Sequence, residues 1–297
     1  MKRLIVYTLL LLAAFWCLDR TISTALNYGL RQYFGIGSNA DILMIGHSHL
    51  MLSVDKERLE QGLGVSVAKY CREGVNVFDR QRMIQHYLDT CSTPPKIVLY
   101  SVDPFLFTGK NLSSNSYKLF YPFIDSPVMN NYIQHEALDA WDYWLHKLIH
   151  TSRYSDALIN SAVRGWMHNW SNLQYGYVSE DVFRRASDRA MDFEQARRLC
   201  FEQSIKFLAD KGIRVLLINS PVSYGFAQRN PKNYERINSY FRSFAEENNL
   251  VDYIDYNPVF SHDCTLFLDL VHMNPAGQKV QTERLIRDLN LYTYNHD

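Results

Sequence analysis

The pattern of apolar and polar positions divides the chain into three kinds of stretch. Residues 4–18 are apolar almost without interruption, with Lys2 and Arg3 before them and Asp19 and Arg20 after. Further on come short apolar runs of strand length, at 42–45, 65–70, 96–102, 214–219 and 251–256. Between these lie mixed stretches with apolar positions at helical spacing, at 52–63, 77–88, 193–211, 234–249 and 276–289. The helix expected over 193–211 stops at Gly212, a natural C-terminal cap. Residues 23–34 read as an amphipathic connector running into Gly35-Ile36-Gly37-Ser38. The segment 105–187 breaks the rhythm: it is rich in Tyr, Trp, Phe and Asn, with a helix expected over 137–150.

Short apolar strands alternating with helices predict an α/β domain, with a central parallel sheet of about five strands covered on both faces. In such open sheets ligands bind beyond the carboxyl ends of the strands, where the strand order reverses. The domain spans residues 40–290, with a helical, aromatic-rich insertion over about 105–187. The first 20 residues stand apart from it, and 21–39 connect the two.

A basic start followed by an apolar segment is the pattern of an export signal. Small residues do not close the segment, because Ala13-Ala14 are followed by Phe15-Trp16, and Cys17 lacks the small residues of a lipoprotein box. The expectation is therefore an uncleaved membrane anchor, with Lys2-Arg3 inside and everything after Arg20 outside. A span needs about 20 residues, so this one must borrow Trp16 and residues 21–26. A buried helix of a soluble protein is the competing interpretation.

Composition narrows the rest. Lys+Arg and Asp+Glu number 31 each, so no net field draws the chain to nucleic acid. Five cysteines (Cys17, Cys71, Cys91, Cys200, Cys264) show no metal-ligand spacing, and their odd count gives no disulfide framework, although Cys71 could pair with Cys91. No phosphate-binding glycine loop occurs. Asp142, His146 and His150 recur at helical spacing, but a HExxH glutamate is lacking, so a packed or solvated face is expected rather than a metal. No cofactor and no metal are expected. Trp141, Tyr143, Trp144, Trp166 and Trp170 are expected to form the core of the insertion, with a lid or glycan platform as the second interpretation.

The candidate chemistry lies at two places. The first apolar run ends in Gly46-His47-Ser48-His49, where a glycine turn delivers a serine past a strand end. Near the C-terminus, Asp269-Leu270-Val271-His272-Met273-Asn274 places an aspartate three residues before a histidine. A serine nucleophile needs a base, and the base needs an orienting carboxylate. Ser48, His272 and Asp269 are the candidates for these roles. His47 and His49 are expected as pocket wall or packing, Asn274 as a loop-shaping residue and Asp103 as a strand-end carboxylate.

Together these blocks resemble the SGNH (GDSL-type) hydrolases. Gly46-His47-Ser48-His49 looks like their nucleophile block, and Asp269-x-x-His272-x-Asn274 with Gly277 looks like their Asp/His block. The resemblance covers about 40–104 and 190–290. It implies a three-layer, flavodoxin-like fold and hydrolysis or transfer of ester-linked acyl groups. It also places Gly74 at the family's oxyanion glycine, its N–H joining that of Ser48. The chain departs from the family at His47, where an aspartate is usual, and at Ser101-Val102-Asp103-Pro104, where the family has Gly-x-Asn-Asp. The side-chain oxyanion donor is thus missing. This moves the resemblance toward the anchored, extracytoplasmic proteins of D-alanyl transfer and alginate O-acetylation. The implied function is an esterase or O-acyltransferase on the membrane's outer side, acting on acylated carbohydrate or another small ester. A membrane-embedded acyltransferase is a candidate partner. The alternative is a catalytically degenerate member that binds glycan or an envelope partner without turnover.

Overall fold

The computed structural model describes residues 1–109, 115–137, 139–184, 190–228 and 230–294. The far boundary expected for the insertion, Ser187, lies outside them. The chain forms two compact units: a helical unit of Met1–Phe34 and Ser114–Asn169, and a sheet unit of Gly35–Ser113 and Trp170–Asp297.

The sheet unit starts with β1 (Ile42–Gly46), α2 (Ser48–Ser53), α3 (Lys56–Leu63), β2 (Val67–Cys71), α4 (Val77–Thr90) and β3 (Ile97–Val102). It resumes with α8 (Glu180–Phe183), α9 (Gln195–Ala209), β4 (Arg214–Asn219), α10 (Tyr224–Gln228) and α11 (Pro231–Glu246). It ends with β5 (Val251–Asp255), α12 (Asn257–Phe260) and α13 (Pro275–Tyr294). The sheet is wholly parallel, in the order β2-β1-β3-β4-β5. This is the expected fold class, with the order reversing between β1 and β3.

Alternate residues of β1 explain the layering. Ile42 and Met44 join Leu50, Leu59, Leu285 and Leu289 in one core, under α2, α3 and α13. Leu43 and Ile45 point to the other face and are equally buried. There α4 packs on α9, α9 on β4, and α11 on β5. The helix expected over 52–63 is instead two helices, because Asp55 takes extended backbone angles and caps α3 by accepting from Arg58 N. Asn76 and Asp79 form a capping box that starts α4.

The helical unit contains α1 (Lys2–Phe34), α5 (Pro127–Glu136), α6 (Ala140–Leu148) and α7 (Asp156–Trp166). The apolar stretch and the first part of the expected connector are one helix, because no proline or capping residue interrupts them before Phe34. Residues 1–18 are exposed throughout. From Asp19 onward the helix is clamped. Asp19 accepts from the N–H of His150 and Thr151, at 3.0 and 2.8 Å, and Ser23 meets Tyr154. Gly29 and Gly165 let α1 and α7 touch backbone to backbone. A Cβ at Gly29 would overlap the Ala162 carbonyl, and one at Gly165 the Gly29 carbonyl.

The expected aromatic core of the insertion is corrected here. Tyr143 is buried, but Trp141, Trp144 and Trp166 are 72%, 54% and 53% exposed. Aromatic composition reports an appetite for leaving water without saying what supplies the apolar contact. Cys71 and Cys91 are unpaired thiols, as are the other three cysteines.

Candidate active site

The site is assembled at the carboxyl end of the sheet. β1 stops at Gly46, which no other residue could replace without displacement: a Cβ there would lie 2.6 Å from Ser101 Cβ and 3.1 Å from Leu50 Cβ. His47 follows in extended backbone and caps α2 by accepting the His49 N–H at its Nδ1, 3.1 Å away. Ser48 is therefore the first residue of a helix, whose first-turn N–H groups lack partners within the helix.

The second wall is a hairpin. Phe267 and Met273 bridge in antiparallel fashion, and Leu268 N donates to the His272 carbonyl at 2.8 Å, leaving Asp269 to His272 at the tip. Asn274 holds the base. Its amide donates to the Thr265 carbonyl at 2.8 Å, and its Oδ1 accepts from Ala276 N and Gly277 N. Gly277 is required because a Cβ would run into the Leu266 carbonyl. Gln278 then donates to the Leu52 carbonyl at 2.9 Å, tying α13 to α2 and so hairpin to serine.

The three candidate side chains form one relay. Ser48 Oγ lies 2.8 Å from His272 Nε2, and His272 Nδ1 lies 2.8 Å from Asp269 Oδ2. Asp269 Oδ1 accepts from the backbone N–H of Val271 and His272, at 2.8 and 2.9 Å, which fixes the carboxylate before the ring is added. A carboxylate can only accept, so Nδ1 carries a proton, and in the neutral imidazole Nε2 is then the acceptor for the Ser48 hydroxyl. Partial burial works to raise the Asp269 carboxyl. The hydrogen bond and charge of His272, with the two N–H groups, outweigh burial and hold it below the ordinary value. Such a relay can draw a proton from Ser48 as its oxygen attacks a carbonyl.

Gly74 lies in the turn after β2, at φ 75°, in the left-handed region that favours glycine. Its Cβ position meets nothing within 4 Å. Gly46 pairs with Cys71, and Arg72 N donates to the Gly46 carbonyl, so the Gly74 turn and Ser48 leave neighbouring strands at the same end.

Asp103, where the family has its polar third block, faces away from this chemistry. It is fully buried, with Oδ1 accepting from Phe105 N at 2.8 Å and Oδ2 in contact with His47 Nε2 at 2.7 Å. The buried Arg80 guanidinium stands 3.9 Å from Oδ2 and donates to the Ser101 carbonyl at 2.6 Å. Burial alone would push the Asp103 carboxyl up. The field and hydrogen bond of His47, with His49 and Arg80, prevail and keep it ionised well below the usual range. Because Nδ1 of His47 accepts from a backbone N–H, its proton is on Nε2, toward Asp103. His47 thus performs the capping task of an aspartate, and Asp103 fixes its tautomer. His49 is buried and packs edge-on to His47 and His272, with centroids at 4.2 and 5.3 Å.

His47, His49 and Asp103 have ligand-type atoms within 4.8 Å of one another, a grouping not foreseen in the sequence. The Asp103 oxygen already has His47 and a guanidinium beside it, so these groups fit a hydrogen-bonded network better than a cation site. Arg80 was also missed. Its signal is a charge on the apolar stripe of α4 formed by Val77, Ile84 and Tyr87. Asp142 and His146 are 3.2 Å apart, and Lys118 and Tyr121 also engage Asp142, in keeping with a polar packed face.

No protein-family model matches the sequence, and no curated protein matches it. Among solved structures the chain is similar to a lipase/acylhydrolase from Enterococcus faecalis, at 11% identity and TM-score 0.44, covering 84% of this chain and 94% of that one. It is also similar to an acetylxylan esterase from Geobacillus stearothermophilus, at 13% identity and TM-score 0.40, covering 85% and 94%. A third is the catalytic domain of a peptidoglycan O-acetyltransferase from Streptococcus pneumoniae, at 13% identity and TM-score 0.39, covering 84% and 92%.

Proposed function

We propose that this chain is a membrane-anchored serine esterase or O-acyltransferase of SGNH type, acting outside the cytoplasm on acyl esters of envelope glycan. The observation that carries the proposal is the unbroken relay of Ser48, His272 and Asp269. Ser48 Oγ attacks the ester carbonyl carbon while His272 Nε2 takes its proton. Asp269 holds the ring and balances the imidazolium. The N–H groups of Ser48 and Gly74 receive the oxyanion. Collapse of the tetrahedral species expels the alcohol, which takes the proton from His272, and leaves an acyl-Ser48. Water or a sugar hydroxyl then attacks the acyl-enzyme, activated by the same ring. Since the Asp103 carboxylate is turned toward His47 and Arg80, no negative side chain from that block opposes the oxyanion.

The anchor rests on α1, which is long and apolar enough to cross a membrane and leaves residues 1–18 uncovered. A glycan substrate is supported by two exposed rings in a segment tied to both walls of the site. Tyr175 and Tyr177, 80% and 82% exposed, belong to a segment fastened at both ends. Gln174 reaches Glu73, beside Gly74, at 3.4 Å, and Val178 N donates to the Phe267 carbonyl at 3.2 Å. Aromatic faces so placed can stack on sugar rings. The test is labelling of the full chain with a fluorophosphonate and mapping of the modified residue. Modification at Ser48, absent from Ser48→Ala, is expected; labelling that survives the substitution overturns the assignment.

A further inference from the structure

The helical unit has one feature that the proposed chemistry does not use. On α6, Trp141, Trp144 and Leu148 are 72%, 54% and 57% exposed, and their spacing of three and four places them on one face. The opposite side of the helix is pinned. Tyr143 is buried and donates to Asn130 Oδ1 at 2.8 Å, Asp142 accepts from Tyr121 at 2.8 Å, and Lys147 donates to Asn130 Oδ1 at 3.1 Å. The apolar face is thus held outward by the unit's own packing.

The place where α6 meets α1 says what covers that face. Arg20 donates to the Leu148 carbonyl at 3.1 Å, and the next turn is bonded to Asp19. Asp19 is the first residue of α1 that protein covers; all before it are exposed. Leu148 therefore lies at the height where the uncovered apolar run ends. Trp16, with the Arg20 guanidinium 3.8 Å over its ring, lies about one turn deeper in that run. Tryptophan and leucine on an amphipathic helix beside a span, with basic groups nearby, is the chemistry of the bilayer interface.

We infer that α6 is an interfacial foot, its Trp141, Trp144 and Leu148 face entering the headgroup zone of the bilayer that α1 spans. The inference rests on the membrane reading of α1. The test keeps the two apart, using the full chain in phosphatidylcholine–phosphatidylglycerol vesicles that contain lipid brominated near the carbonyl end of its acyl chain. Tryptophan emission is read for the wild type, for Trp16→Phe and for the double variant Trp141→Phe, Trp144→Phe. The replaced rings are exposed and the changes conservative, so the fold is retained. The wild type should be quenched, and the double variant should lose about half or more of the quenchable emission. Unchanged quenching in the double variant, with its loss in Trp16→Phe, overturns the foot and leaves the anchor standing. Absence of quenching in the wild type overturns both.

Discussion

In the sheet unit, all five residues of β1 and all five of β2 are buried, while in the helical unit residues 2–18 of α1 and the Trp141–Trp144 face of α6 are not. Both units are rich in apolar residues, and the difference is what those residues close against. β1 finds α2, α3 and α13 on one side and α4 on the other, so its apolar pattern is consumed internally. α1 finds α7 only over its second half, through Gly29, Ala162 and Gly165. Polar chemistry follows the same division. The sheet unit buries Asp103 and Arg80 together, at 0% and 1% side-chain exposure, whereas one pair in the helical unit joins buried Arg153 to an Asp125 that is 59% exposed.

The sharpest way to break the comparison is to remove chemistry from one unit and leave the other untouched. Ser48→Ala should lower kcat for a small acyl ester by roughly a thousand-fold to a million-fold, the scale seen when a serine nucleophile is removed. Under the proposed anchoring by α1, fractionation with membranes should not change. Asp269→Asn should lower kcat by about ten-thousand-fold, since an amide that donates to Nδ1 selects the wrong tautomer. Stopped assays with p-nitrophenyl acetate measure both. An Asp269→Asn variant at wild-type rate would remove the carboxylate from the relay.

The two Asp–Arg pairs give the next contrast. Asp103→Asn leaves Arg80 buried without its counter-charge, and should destabilise the sheet unit by about 3–5 kcal/mol. Asp125→Asn should have an effect of only about 1 kcal/mol or less, because its carboxylate is mostly in water. Urea denaturation of each variant compares them. Acid should single out the same group. The Asp103 carboxyl has its folded pKa below the unfolded value of 3.8. Its stabilisation is therefore complete above that value, and is lost as pH falls below it toward the folded one. Denaturation midpoints should fall steeply with acid there, and much less so in Asp103→Asn.

Much of the sheet unit was legible because a strand buried on both faces must be a short apolar run, as 42–45 and 214–219 are. The Asp269-to-Gly277 block was legible for another reason. Asp269, Asn274 and Gly277 each do a local task, fixing a ring, capping a helix and allowing a close approach, and such tasks leave residue types at fixed offsets. What did not show was long-range. The link between Arg80 and Asp103 joins a helix face to a strand end 23 residues on, and only the fold brings them together. Trp141 and Trp144 were expected in a core because an apolar position next to lipid or solvent looks, in one dimension, like one next to protein.

The smallest expected effect concerns Tyr175 and Tyr177. Between them Gly176 takes φ 142°, and a Cβ there would stand 2.8 Å from Leu268, so the segment lies hard against the hairpin that carries Asp269 and His272. A stacked ring contributes about 1 kcal/mol, which corresponds to roughly a fivefold change in affinity. Tyr175→Ala or Tyr177→Ala should therefore raise KM for an acetylated oligosaccharide about fivefold, while kcat/KM for p-nitrophenyl acetate, which has no sugar ring to stack, stays the same. Equal losses on both substrates would mean that the rings only brace the hairpin. Unchanged KM on the oligosaccharide would leave the two rings without a part in substrate choice, and would move the search for a glycan surface away from this segment.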